Sequence, residues 1–132
     1  MWLQRAATVR AEGAGVVAAG AVSRWLTPGL RERDPGLVTR LERMVTSTPA
    51  EGYAACCDAI RTMDLRPRLA AITAPTLVLA GAKDAVIPAE HGERLAAALP
   101  SACFELLHHA AHLPNLEHPA EFTRLLRDHL AA

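Results

Sequence analysis

The stretch from Ala74 to Asp84, A-P-T-L-V-L-A-G-A-K-D, constrains the fold of this chain more than any other. Residues 76–80 form a nearly continuous apolar run between a proline and Gly81, a pattern typical of a strand buried on both faces of a sheet. Asp84 follows just beyond the strand, and in open parallel sheets ligands and catalytic groups collect at the carboxyl ends of the strands. The stretch predicts a buried strand with a functional carboxylate at its tip.

Composition and charge indicate a globular protein and exclude some classes of partner. The 132 residues are 51% apolar and 21% charged, which is typical of one globular domain. The 14 basic and 14 acidic residues form no long block of either sign, so we expect neither a nucleic-acid nor a membrane partner. Three cysteines, Cys56, Cys57 and Cys103, lack C-x-x-C spacing, and no secretory segment stands at the N-terminus. These features favour a cytoplasmic location.

Helical patterns fill the chain up to about residue 71. The first 26 residues carry apolar residues at helical spacing but several glycines, which predicts an irregular or broken helix. The same stretch is rich in arginine and poor in acids, a composition that is also typical of a transit peptide. Asp34, followed by proline, predicts the N-cap of a second helix. Thr48 predicts the N-cap of a third, with Glu51 at capping-box spacing.

From residue 72 the pattern changes to alternating strands and helices. The predicted order is strand 76–80, helix 89–99, strand 103–107 and helix 119–130. This order is typical of a right-handed crossover unit of a parallel sheet, closed by one further helix. We therefore predict two segments, a helical one over 1–71 and an α/β one over 72–132.

Two loops of the α/β segment are expected at the same edge of the sheet. Because parallel strands end at one edge, the loop with Asp84 meets the loop after Leu107, H-H-A-A-H-L-P-N. A carboxylate that holds one ring nitrogen of a histidine leaves the other nitrogen as a general base. The alternative interpretation is that Asp84 caps the following turn and that the histidines are solvated loop residues. A metal site is not expected, because the histidines lie on a loop without an acidic or cysteine partner at ligand spacing.

Two motifs in this segment resemble the C-terminal end of the α/β-hydrolase family. They are P-T-L-V-L-A-G-A-K-D-A-V-I-P and H-A-A-H-L-P-N-L-E-H-P, the second followed by a closing helix. In that family the acid of a Ser-His-Asp triad follows the penultimate strand and the histidine follows the last one. The resemblance implies that Asp84 is the catalytic acid and His112 the catalytic base. His108 and His109 come too soon after the strand, and His118 starts the helix.

The helical segment resembles one group within that family. R-A-A-T-V-R-A-E-G, R-W-L-T-P-G-L-R-E-R and E-G-Y-A-A-C-C-D-A-I-R are similar to the helical cap of 3-oxoadipate enol-lactonases, which hydrolyse an enol-lactone in the β-ketoadipate pathway of aromatic degradation. The resemblance implies a small lactone or ester substrate, no cofactor, and Trp25 and Val86 as substrate-binding residues. Packing is the alternative role for both. An arginine near the cap is expected for an anionic lactone, with Arg5, Arg24 and Arg61 as candidates.

One part of the family pattern is missing. The nucleophile of the family sits in G-x-S-x-G on a strand-to-helix elbow, and Ser23, Ser47 and Ser101 lie outside such a motif. We therefore expect an incomplete α/β-hydrolase fold, the helical cap and the last two strands, which is inactive alone and has the N-terminal half of a hydrolase as its partner. A non-catalytic helical interaction module on a hydrolase-derived scaffold is the alternative.

Overall fold

The computed structural model describes residues 1–131, which form two compact units. The first unit contains residues 1–23 and 31–64, and the second contains residues 24–30 together with the chain from residue 65 onward. The predicted cap and core segments, divided at residue 71, stay a prediction. The short segment 24–30 belongs to the unit that contains the strands, which brings Trp25 into that unit.

The described residues form helices along the whole chain and two strands in its second half. In chain order these are α1 (Trp2–Glu12), α2 (Gly15–Trp25), α3 (Pro28–Arg33), α4 (Pro35–Thr46), α5 (Ala50–Thr62), a 3-10 helix (Arg66–Ala71), β1 (Thr76–Gly81), α6 (Ala89–Ala98), β2 (Ala102–Leu107), α7 (Pro114–Glu117) and α8 (Pro119–Ala131). None of the helices within residues 1–131 has the length and apolar character needed to cross a membrane.

The helix boundaries follow local chemistry. The predicted break in the first helix is confirmed, because Gly13 takes a φ of 85° between α1 and α2, a conformation that side-chain-bearing residues rarely adopt. The predicted cap at Asp34 is also confirmed, since its Oδ1 accepts a 2.8 Å hydrogen bond from Leu37 N. The predicted cap at Thr48 is wrong. Its hydroxyl donates to Met44 O at 3.1 Å, within the preceding helical turn, and α5 begins after Pro49 without a side-chain cap.

Small side chains hold the first unit together. Ala6 of α1 packs with Ala54 and Cys57 of α5, and the partly buried Trp2 and Tyr53 pack against this cluster. Burial raises the pKa of the Cys57 thiol, as expected for a thiolate that would lose its hydration. The neighbouring Cys56 is exposed, because adjacent residues of a helix face different directions.

An arginine joins the two helices at the rim of this cluster. Arg10 of α1 donates from Nε and Nη2 to the two carboxylate oxygens of Glu51, each at 2.9 Å, and Nη2 also donates to Asp58 Oδ2 at 2.9 Å. The hydrogen bond from Arg10 lowers the pKa of the Glu51 carboxyl below its ordinary value. The bidentate geometry is the strong form of an ion pair, although solvent screens it at this exposed position.

Arg10→Met is expected to lower the melting temperature by a few degrees at most, because the methionine keeps apolar volume but removes three donated hydrogen bonds. The loss should shrink at high salt. The difference in melting temperature should also fade as the pH falls below 4.5, the ordinary pKa of the Glu51 carboxyl. A carboxyl whose pKa is lowered in the folded state stabilises the fold only while it is ionised. Circular dichroism melts with Arg40→Met on the exposed side of α4 as control test this; equal losses in both variants would contradict it.

In the second unit, the predicted strand-helix-strand unit is confirmed. Strands β1 and β2 pair in parallel, with Thr76 opposite Ala102 and Gly81 opposite Leu107. Helix α6 connects them and packs against both strands. It lies close to the sheet at Gly92, where a Cβ atom would come within 2.8 Å of the Phe104 ring.

The predicted burial of β1 on both faces is wrong. Only Val78 and Gly81 of this strand are buried, and the other positions are half-buried. The reason is that the sheet formed by the described residues has two strands, so β1 pairs only with β2 and its other edge lacks a neighbouring strand. The unit is thus an incomplete α/β fold, in which an apolar central-type strand lies at an edge.

Candidate functional site

The acid loop begins where β1 ends. Asp84 N donates to Gly81 O at 3.2 Å, which closes a tight turn directly after the strand. The Asp84 side chain is only 9% exposed, and its Oδ1 accepts hydrogen bonds from Val86 N at 2.7 Å and Ile87 N at 3.0 Å. These two donors fix the orientation of the carboxylate and leave Oδ2 for another partner.

That partner is His112, on the loop after β2. His112 Nδ1 lies 2.8 Å from Asp84 Oδ2, and the imidazole is 26% exposed. The main chain of the histidine is anchored as well, because His112 N donates to Trp25 O at 3.0 Å. The predicted meeting of the two loops at one sheet edge is therefore confirmed. Asp84 also caps the turn that follows it, which the alternative interpretation predicts.

The pair has the arrangement of an acid and a base. A carboxylate on Nδ1 favours the tautomer with a proton on that nitrogen and stabilises the imidazolium that forms when Nε2 accepts a proton. Nε2 lies on the opposite side of the ring, where it could take the proton of a nucleophile. The arrangement can therefore activate a hydroxyl group, provided that one is brought to Nε2.

Close backbone packing holds the histidine loop against the end of β1. Lys83 N donates to Ala110 O at 2.9 Å and joins the acid loop to the histidine loop. A Cβ atom on Gly81 would overlap Ala111 O and lie 2.5 Å from Ala110 O. Only glycine fits at the end of β1, because the backbone of the histidine loop passes directly over it.

Trp25 lies against the histidine ring. The indole and the imidazole of His112 are stacked, with centroids 6.4 Å apart and an angle of 28° between the planes. The indole thus covers one face of the candidate base and limits the orientations of its ring. The predicted substrate-binding role of Trp25 stays a prediction.

A cavity of about 270 Å³ opens beside Asp84 and His112. Ile87 and Leu95 supply apolar walls from the acid loop and α6, and Pro114 contributes from α7. Val86 is 41% exposed and does not line this cavity, although its N–H holds Asp84. Its predicted substrate-binding role also stays a prediction.

The arginine candidates lie in different units. Arg5 places its guanidinium 5.5 Å from the centroid of the Trp2 ring, and Arg61 lies 3.9 Å from Asp58 on its own helix. Both therefore have contacts within the first unit, whereas Arg24 precedes Trp25 at the start of the second unit.

No sequence pattern points to Glu117 as a functional residue. This carboxylate is 9% exposed. Its Oε1 accepts hydrogen bonds from Thr27 N and Thr27 Oγ1, both at 2.7 Å, and its Oε2 accepts one from Ala111 N. A glutamate between a leucine and a histidine carries no local signal of burial. Only the close tertiary contact between residues 24–30 and the histidine loop reveals its place.

The other histidines of the loop do not join the pair. His108 and His109 are exposed, and the His109 ring lies 6.3 Å from that of His118 at a tilt of 49°. Within residues 1–131, the His, Cys, Asp and Glu side chains form no group of three or more that could hold a metal ion.

Comparisons with known proteins agree with this geometry. A family model described as the alpha/beta hydrolase fold matches residues 3–119. The chain is 40% identical to 3-oxoadipate enol-lactonase 2 of Acinetobacter baylyi over 121 residues, which cover 92% of this chain and 45% of that protein. It is 33% identical to 3-oxoadipate enol-lactonase 1 of the same organism over 94% of this chain and 46% of that protein. The chain spans about half the length of the curated relatives it matches.

Solved structures give the same result. The enol-lactonase from Burkholderia xenovorans LB400 matches with a TM-score of 0.95 and 34% identity, over 100% of this chain and 50% of that one. A hydrolase from Pseudomonas aeruginosa matches with a TM-score of 0.90 and 41% identity, over 99% of this chain and 49% of that one. The chain thus corresponds to about half of each protein.

Proposed function

Because the chain belongs to the α/β-hydrolase family, we propose that it supplies the acid and the base of a Ser-His-Asp triad for the hydrolysis of an enol-lactone or a related ester. The single observation that carries the proposal is the 2.8 Å contact between His112 Nδ1 and Asp84 Oδ2 at the carboxyl ends of two parallel strands. The similarity to enol-lactonases over most of the chain supports 3-oxoadipate enol-lactone, of the β-ketoadipate pathway in the cytoplasm, as the substrate.

In the proposed reaction His112 acts twice. Its Nε2 first takes the proton of a serine hydroxyl, the serine oxygen bonds to the lactone carbonyl, and the ring ester bond breaks to give an acyl-enzyme. The imidazolium then gives that proton to the leaving enol oxygen. His112 next takes a proton from water, whose oxygen bonds to the acyl carbon, and returns it to the serine oxygen as the acyl–serine bond breaks and the acid is released. Asp84 accepts the hydrogen bond from Nδ1–H and stabilises the imidazolium in both steps.

The serine must come from outside the residues described, because no serine of this sequence lies in G-x-S-x-G. We propose that the N-terminal half of a hydrolase supplies it, together with the backbone N–H groups of the oxyanion hole. The unpaired edge of β1 supports such a partner, since a half-buried apolar strand with a free edge can accept another strand.

An enol-lactone hydrolysis assay on the chain alone, and on its mixture with a family N-terminal half that carries G-x-S-x-G, tests this function. We expect hydrolysis only in the mixture, because acid and base without a nucleophile add little rate over water. The matched control is an N-terminal half in which the elbow serine is alanine.

Two results would contradict the proposal. Hydrolysis by the chain alone would mean that the nucleophile is not missing. A stable complex of the two halves without hydrolysis would instead favour the non-catalytic interaction module.

A further inference from the structure

We propose that Glu117 is a positioning residue that sets the place and orientation of His112. Glu117 does not touch the imidazole or the cavity beside it. It acts through the backbone of the residue before His112 and through the segment that carries the stacked Trp25. The inference rests on the proposed function for the role of His112, but the orientation of the ring can be measured without any activity.

The carboxylate of Glu117 binds two segments that are far apart in sequence. Oε1 accepts both the N–H and the hydroxyl of Thr27, each at 2.7 Å. Oε2 accepts the N–H of Ala111, which is itself buried and directly precedes His112. Three donors thus meet one buried acceptor group, and hydrogen bonds to a carboxylate are stronger than those between neutral groups.

We call these three hydrogen bonds of Glu117 the clamp; it fixes both contacts that His112 makes with Trp25. The Trp25 carbonyl accepts the N–H of His112 at 3.0 Å, and the Trp25 ring stacks on the imidazole. Trp25 lies two residues before Thr27, so anchoring Thr27 to Glu117 also anchors Trp25. If the clamp opens, His112 keeps Asp84 as its partner but loses the support that aligns its ring.

Glu117→Gln replaces one acceptor oxygen of the clamp with an NH₂ donor. Glu117→Gln keeps the shape of the side chain, but its amide has one acceptor oxygen and one NH₂ donor. If the oxygen stays with the two donors of Thr27, the NH₂ group faces the N–H of Ala111. Two donors then point at each other inside the protein, which is costlier than the simple loss of a hydrogen bond.

The test uses the whole chain labelled with ¹⁵N, without a second half. The Nδ1–H proton of His112 is expected as a downfield resonance in the unaltered chain. We expect Glu117→Gln to broaden or remove this resonance and to speed amide exchange of Ala111 and His112 about tenfold, as loss of one buried hydrogen bond to a charged group implies. Amides of β1 and β2 should exchange at unchanged rates.

Two controls separate positioning from general loss of stability. Glu121→Gln, on the exposed side of α8, should leave the resonance unchanged. Leu99→Ala, a buried site that leads into the opposite end of β2, should lower the melting temperature without removing the resonance. If Glu117→Gln does not fold, Thr27→Val serves instead, since it removes one donor and should broaden the resonance in part.

In an active mixture with an N-terminal half, Glu117→Gln should lower kcat about tenfold with KM changed by less than about twofold. An unchanged His112 resonance in a folded Glu117→Gln chain would overturn the inference, and so would equal loss of the resonance in Leu99→Ala. Failure of the proposed function has a different result, namely no hydrolysis in any mixture while the resonance still responds to Glu117→Gln.

Discussion

His112→Ala is expected to reduce hydrolysis by the two-part enzyme by roughly three orders of magnitude or more, because a serine without its base is a poor nucleophile at neutral pH. Asp84→Asn should come close to this loss. An amide cannot stabilise the imidazolium, and its NH₂ group favours the tautomer in which Nε2 carries the proton. Initial rates of enol-lactone hydrolysis at saturating partner concentration measure both effects.

His108→Ala is the matched control for this prediction. His108 is exposed on the same loop, four residues before His112, and we expect it to leave the rate within about twofold of the unaltered chain. Binding of the two halves should be measured beside the rate, so that loss of assembly is not counted as loss of chemistry. Near-normal hydrolysis by an assembled His112→Ala enzyme would disprove the assignment of the base.

Gly81→Ala should have the largest effect on stability among single methyl additions. The new Cβ would collide with the carbonyl oxygens of Ala110 and Ala111, and backbone atoms cannot move aside as the end of a side chain can. We expect a loss of roughly 3 kcal/mol in the free energy of unfolding, at the upper end for overpacking. Hydrolysis by the two-part enzyme should fall as well, because the histidine loop must lift from the end of β1.

Gly29→Ala provides the comparison. A Cβ at Gly29 of α3 would meet nothing within 4 Å, and alanine favours a helix over glycine, so this change should be neutral or stabilising by up to about 1 kcal/mol. Urea unfolding of both variants measures the difference. Equal stability of Gly81→Ala and the unaltered chain would show that the loop accommodates the methyl group.

The meeting of the Asp84 loop with the loop after β2 could be predicted from topology, whereas the choice of His112 came from the resemblance to the hydrolase family. Two apolar runs at the spacing of a crossover unit predict parallel strands, and parallel strands end at one edge. The two loops that follow those ends are therefore expected to meet, although only His112 of the loop histidines reaches Asp84. The burial of β1 could not be predicted correctly, because it depends on which strands are present beside it.

The elements that were missed are short or depend on distant contacts. Helix α3 has six residues and α7 has four, too few for a periodic pattern. Thr48 has the sequence of a cap, but the preceding helix takes its hydroxyl. The roles of Trp25 and Glu117 depend on contacts across 87 and 90 residues, which no local pattern records.

The strands β1 and β2 end level with each other, since Gly81 lies opposite Leu107. A deletion or insertion of one residue in β2 would move the start of the histidine loop by about 3.3 Å and turn every later side chain to the other face. That shift exceeds the tolerance of a hydrogen bond to Asp84. The site therefore depends on the lengths of its strands more strictly than on most of their side chains, and changes of length belong in the loops that lead away from this edge of the sheet.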